Sequence, residues 1–162
     1  MTVTLSFWLC STIFTAFCLL GFTIWRKYKR RRDFFADLVK FCDHLTTEIN
    51  FSKNTIEQVI RRYIDTYNPM FAEVLLKYSH LLAKNSDITR ENLREFIERE
   101  DVADFFHELG KHSSFEELEK IKSARLRFEA EYQKAHSKFS KEASIYFKIC
   151  IILGIGVVIL LL

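Results

Sequence analysis

SFEELEKIKSARLRFEAEYQKAHSKFSKEASIYFKICIILGIGVVILLL, residues 114–162, contains no proline and no glycine before Gly154. Its first part places apolar residues at three- and four-residue intervals among charges, and its last part is almost purely apolar. That pattern predicts an amphipathic helix continuous with a membrane-spanning one. At ~1.5 Å per residue such a helix would be roughly 70 Å long, against ~30 Å for the hydrocarbon layer of a bilayer. A large part of it must then stand outside lipid, fixing whatever packs on it relative to a membrane face.

The opposite end of the chain matches it. Residues 2–25 carry no charge and are long enough to span once. A cleaved signal peptide fits poorly, because the basic residues follow the apolar run and no A-x-A site comes after it. Those basic residues are Arg26, Lys27, Lys29, Arg30, Arg31 and Arg32, six in seven positions. Under the positive-inside rule they put that side of the first span in the cytoplasm, and beside a membrane they also attract anionic lipid heads. The expected division is a transmembrane helix over 1–25, a basic segment over 26–32, a cytoplasmic helical domain over 33–144 and a second transmembrane helix over 145–162. Lys134, Lys138 and Lys141 flank the second span on the same side, and Lys148 lies near enough to its start to snorkel. Both termini are then expected across the membrane. Gly154 and Gly156 are candidates for close packing against another membrane helix, although their spacing is not GxxxG.

The middle reads as helix throughout, with no strand alternation. Phe34, Leu38, Phe41, Leu45 and Ile49 form one stripe, with Asp33, Asp37, Lys40 and Asp43 mostly off it. After a break at Phe51, Ser52 and Lys53, Asn54 and Glu57 have capping spacing ahead of Ile56, Val59, Ile60, Tyr63, Ile64 and Tyr67. Asn68 and Pro69 end that helix and open a third, which carries Phe71, Val74, Leu75, Tyr78, Leu81 and Leu82 and closes over Lys84, Asn85, Ser86 and Asp87. Thr89 is the expected N-cap of a short fourth helix with Leu93, Phe96 and Ile97. Val102, Phe105, Phe106 and Leu109 mark a fifth, stopped by Gly110, and Ser114 with Glu117 has the form of a capping box for the last. The expected fold is all-α: a bundle of about six helices between two transmembrane helices, the last soluble helix being the long one and continuous with the C-terminal span. Leu118, Ile121, Phe128, Tyr132, Ala135, Phe139 and Tyr146 mark the long helix's inner edge. Arg125 interrupts that edge, which is therefore no clean heptad.

Chemistry is sparse. A net charge of +3 over 162 residues is no nucleic-acid signature. His44, His80, His107, His112 and His136 are scattered, and none pairs at metal-binding spacing. No phosphate-binding or dinucleotide glycine motif is present, and the chain has four glycines in all. Cys10, Cys18 and Cys150 lie in the apolar ends and Cys42 in the middle, which implies no disulfide framework. No catalytic residue, metal or cofactor is expected. The charged turn with Glu108, Lys111, His112, Glu116 and Glu117 is a candidate docking surface, set against the plainer reading of a solvated loop with acids at a helix start.

Glu48-Ile49-Asn50-Phe51-Ser52-Lys53-Asn54-Thr55-Ile56 resembles the Glu-Ile-x-[aromatic]-x-x-x-Pro-Leu turn of the stage III sporulation protein AB family of endospore-forming bacteria. Leu109-Gly110-Lys111-His112 is similar to its Leu-Gly-x-x-Asp turn. Ile121 and the Gly-Ile-Gly-Val-Val ending fall where that family has its long helix and terminal span. The chain departs from the pattern at Thr55, where proline is usual, at Ser113, where aspartate is frequent, and at Glu117, where glutamine is frequent. The resemblance implies a non-enzymatic scaffold in the mother-cell membrane, part of the channel complex between mother cell and forespore. Its implied partners are other membrane proteins of that complex and a cytoplasmic ATPase, with membrane lipid around the spans and neither nucleic acid nor a small-molecule substrate. The competing reading is a membrane-tethered regulator that binds anionic lipid or nucleic acid through the basic segment.

Overall fold

The computed structural model describes residues 2–51, 54–84, 88–111 and 113–161. The expected break at Ser52 and Lys53, the polar closure at Asn85, Ser86 and Asp87, and His112 of the charged turn lie outside the described residues. Among the described residues every secondary-structure element is a helix. Helix α1 is Thr2–Phe51, α2 is Ile56–Tyr63, α3 is Pro69–Ala83, α4 is Arg90–Arg94, α5 is Glu100–Glu108 and α6 is Ser114–Lys138. A π-helical segment, Phe139–Ala143, joins α6 to α7, Ser144–Leu161. The chain divides into two compact units, residues 1–32 with 132–162, and residues 33–131.

In the unit of residues 33–131 the apolar stripes meet in an aromatic core. Phe35, Leu38, Phe41, Cys42 and Leu45 of α1 are at most 1% exposed, as are Phe71, Leu75 and Tyr78 of α3, Phe106 of α5 and Ile121, Ala124 and Phe128 of α6. Phe41 stacks on Phe106 at 5.8 Å between ring centres and meets Phe71 at 6.0 Å, while Phe105 stands edge-on to Phe128 at 5.3 Å. The buried Tyr78 hydroxyl donates to the Phe106 carbonyl at 3.0 Å, so this phenol is satisfied within the core. Cys42 belongs to the same core. Burial pushes its thiol up to about 12, which leaves it a small apolar filler rather than a nucleophile.

Local signals place most helix ends. Pro69 occupies the first turn of α3 behind Asn68, and the Thr89 side chain accepts from Asn92 N–H to open α4. Two expected caps differ. The box before α2 is formed by Thr55 and Gln58, one residue later than Asn54 and Glu57. Asn54 is otherwise engaged: its amide donates to Glu48 Oε2 at 2.6 Å. Ser114 is the first residue of α6, and Glu117 does not reach back to it, because its Oε1 accepts the Gly110 N–H at 2.8 Å. The α2 stripe also ends sooner than expected, with α-helix giving way to a 3₁₀ turn at Ile64–Thr66.

Buried carboxylates tie these turns together. Asp37, expected off the stripe, is 1% exposed. Its Oδ2 accepts from both the backbone and side-chain nitrogens of Asn68, at 2.9 and 2.7 Å, holding the start of α3. Its Oδ1 faces Lys40 Nζ at 3.5 Å, an ion pair without a hydrogen bond. Glu48 accepts from Asn54, from Arg62 at 2.7 Å and from the Tyr63 hydroxyl at 3.0 Å. Arg125, which breaks the α6 stripe, pairs across to Asp43 on α1.

His44 sits beside the Glu48 group, stacked on Tyr63 at 3.9 Å with Nδ1 2.6 Å from the Tyr67 hydroxyl. Burial lowers the His44 pKa, against the opposing pull of Asp43 and Glu48. Burial raises that of Tyr67. The neutral imidazole therefore accepts from a protonated phenol. Below the imidazole's ordinary value of 6.5 the unfolded chain takes up a proton that the folded one resists, so stability falls as pH drops through that value. Urea denaturation at each pH is expected to show this slope, and His44→Gln to flatten it; an equally steep slope in the variant would refute the assignment.

Candidate functional site

In the unit of residues 1–32 and 132–162, the first part of α1 runs antiparallel to the π segment and α7, and two glycines permit the contact. A Cβ on Gly21 would lie 3.1 Å from Phe147 and 3.2 Å from Cys150 Cβ, and one on Gly154 would lie 3.2 Å from both Phe14 and Phe17. Gly156 meets nothing within 4 Å among the described residues. Gly154 is thus a packing glycine, Gly156 is open, and Gly21, which the sequence marks only as a lone glycine in an apolar run, is the second packing glycine. Gly154→Leu is expected to cost about 1–3 kcal/mol of this pairing by overpacking, and Gly156→Leu close to nothing. Trp25 fluorescence during detergent titration reads the difference, since its ring lies 5.7 Å from Phe139.

The basic segment crowns this pair. Arg26, Lys27, Lys29, Arg30 and Arg31 are exposed on continuous α-helix, and Arg32 is half-buried. Lys29 Nζ lies 5.2 Å from the Trp25 ring, and the Arg32 guanidinium stands 4.4 Å over Phe139. The Tyr28 hydroxyl donates to Glu142 Oε2 at 3.0 Å. Glu142 is the only carboxylate side chain in residues 1–32 and 132–162, which hold ten lysines and arginines. Residues 33–131 hold twenty carboxylates against fourteen such cations. A collar this one-sided attracts anions by about 1 kcal/mol per basic residue at a negatively charged membrane. Among the described residues one helix, Ser114–Ile159, is long and apolar enough to cross a bilayer.

The charged turn lies in the other unit. Gly110 has φ +85°, a conformation that L side chains rarely adopt, and a Cβ there would also come within 2.8 Å of Ile56 Cδ1. His107 Nδ1 donates to the Ile88 carbonyl at 2.8 Å, which leaves Nε2 to accept from Lys111 Nζ at 3.1 Å. Glu108 accepts from Lys120 at 3.0 Å, and Glu116 is exposed. Glu117 stands apart from these surface groups: it is 7% exposed and is held by the Gly110 N–H. Its burial removes it from the open face of the turn. Among the described residues no group of three or more His, Cys, Asp or Glu is arranged to hold a metal ion.

Comparison with known protein families gives a match. A family model described as stage III sporulation protein AB covers residues 6–162. No curated protein and no solved structure matches the chain.

Proposed function

The chain belongs to the stage III sporulation protein AB family, and from that membership we propose that it is a non-enzymatic platform subunit of the channel complex between mother cell and forespore. In this reading the helical unit of residues 33–131 faces the mother-cell cytoplasm and binds a cytoplasmic ATPase. The apolar ends are two spans in the mother-cell membrane that contact other membrane subunits, and both termini lie on the far side. The observation that carries it is the family match over nearly the whole chain, joined to a helix apolar enough to span. The basic collar supports the orientation, since cytoplasmic flanks of spans are enriched in lysine and arginine. The aromatic core and the buried Cys42 support a structural role, because the groups beneath the surface are occupied with holding helices together.

Cross-linking in sporulating cells, followed by detergent extraction, tests this directly. Co-purification of a cytoplasmic ATPase with the chain is expected, and its consistent absence would overturn the platform reading. The second reading, a regulator acting through its basic segment, makes a different demand. Alanine at the six basic positions would then abolish function while labelling of an engineered Phe115→Cys still reports a cytoplasmic helical unit. An inverted topology in that variant leaves the segment a purely orienting role.

A further inference from the structure

Helices α5 and α6 leave a groove of about 530 Å³ between them. Phe105, Leu109, Ile121 and Ala124 give it an apolar floor, each less than a tenth exposed. Glu100, Asp101, Asp104 and Glu108 stand along it, outnumbering the lining cations Lys120 and Arg127. Those four acids are already paired, to Arg94 at 2.7 Å, Arg99 at 2.8 Å, Arg90 at 3.1 Å and Lys120 at 3.0 Å. Such pairs are solvent-exposed and weak, so they shape the local field without calling for a ligand.

Glu117 differs from them. It lines the same groove, yet its residue is only 7% exposed. One oxygen takes the Gly110 N–H, and the other, Oε2, is shielded from solvent with no hydrogen-bond partner among the described residues. A carboxylate withdrawn from water is costly unless a cation and further hydrogen bonds meet it. Nothing in the groove wall supplies that cation to Oε2. An arginine arriving from outside would, because its planar fork carries donors that match a carboxylate edge. The apolar floor favours a segment that is greasy on one side.

We infer that the α5–α6 groove is a docking site for a basic amphipathic helix of a partner protein, which lays its apolar face on Phe105, Leu109, Ile121 and Ala124 and places an arginine against Glu117 Oε2. The groove holds a few side chains rather than a whole helix, so the partner crosses it by one face. This surface would bind such a segment whether or not the chain works in a channel complex.

The test uses the full chain in nanodiscs of phosphatidylcholine, whose neutral surface does not itself recruit a basic peptide. The probe is a fluorescein-labelled amphipathic peptide of about 18 residues, five helical turns, with leucines on one face flanked by arginines. Binding read by anisotropy is expected to weaken about tenfold in Glu117→Gln, the scale of one charge-assisted hydrogen bond. That variant keeps a carbonyl oxygen for the Gly110 N–H, and its thermal unfolding reports whether the turn survives. Ser123→Trp, at an exposed position lining the groove, is expected to block the peptide sterically, and it carries the test should Glu117→Gln unfold. A peptide with glutamine for arginine is expected to bind about tenfold more weakly than the parent, for the same reason. Equal affinity for the wild type and Glu117→Gln, for both peptides, or for Ser123→Trp would each overturn the proposal.

Discussion

Phe106→Ala is expected to destabilise the helical unit of residues 33–131 by about 3–5 kcal/mol, the scale of emptying a fully packed phenylalanine site. Phe106 is wholly buried and its ring is shared by Phe41, Tyr78 and Phe105, at 5.8, 4.9 and 5.4 Å. These partners come from α1, α3 and α5 itself, so the cavity opens where three helices meet and no single side chain can turn to fill it. Its backbone carbonyl also receives the Tyr78 hydroxyl, and any shift of α5 into the void strains that bond. Hydrogen exchange of peptides from α3 and α5 should accelerate together, as a loss of shared packing requires. Phe115→Ala is the control. At 76% exposed, Phe115 should change stability by no more than about 0.5 kcal/mol, and a comparable loss there would undermine the account of the core.

The second large effect is expected at Glu48. Its carboxylate gathers Asn54, Arg62 and Tyr63, joining the end of α1 to the turn before α2 and to α2 itself. Glu48→Ala removes the acceptor for all three and is expected to cost about 3 kcal/mol, since hydrogen bonds to a charged group contribute about 1.5–3 kcal/mol each and part of that is recovered. The recovery comes from Arg62, whose side chain is 56% exposed and returns to water. Tyr63 and Asn54 recover less. Glu48→Gln keeps the shape and two acceptor sites and should cost well under half as much. Urea denaturation of the three proteins decides it, and equal losses in the two variants would show that the charge, rather than the geometry of the three bonds, is what matters.

Much of the helical layout was legible because its signals are local. Apolar spacing, Pro69 after Asn68, Thr89 before Arg90 and the glycine at position 110 each act within a turn of where they stand. The misreadings have a common cause. The expected cap Asn54 gives way to Thr55, because Glu48, six positions back, takes the Asn54 amide. Asp37 and Glu117 read as surface charges, yet each is buried against the backbone N–H of a turn, Asn68 for one and Gly110 for the other. No periodicity records a carboxylate that is buried because a loop needs an acceptor. The basic segment was plain in composition, whereas the packing role of Gly21 depends on Phe147 and Cys150, more than a hundred positions along the chain.

The π-helical segment at Phe139–Ala143 has a consequence for indexing faces. An α-helix advances about 100° per residue, and one π turn accommodates roughly one residue more than an α turn would. Side-chain phase counted from Tyr132 and Ala135 is therefore out of step by about one residue once α7 begins. The face that presents Gly154 to Phe14 and Phe17 is set by where this extra residue is absorbed. Deleting one residue within 139–143 would restore plain α-helix and turn that face through about 100°. The segment thus works as an angular spacer, and a change in chain length there acts as a rotation.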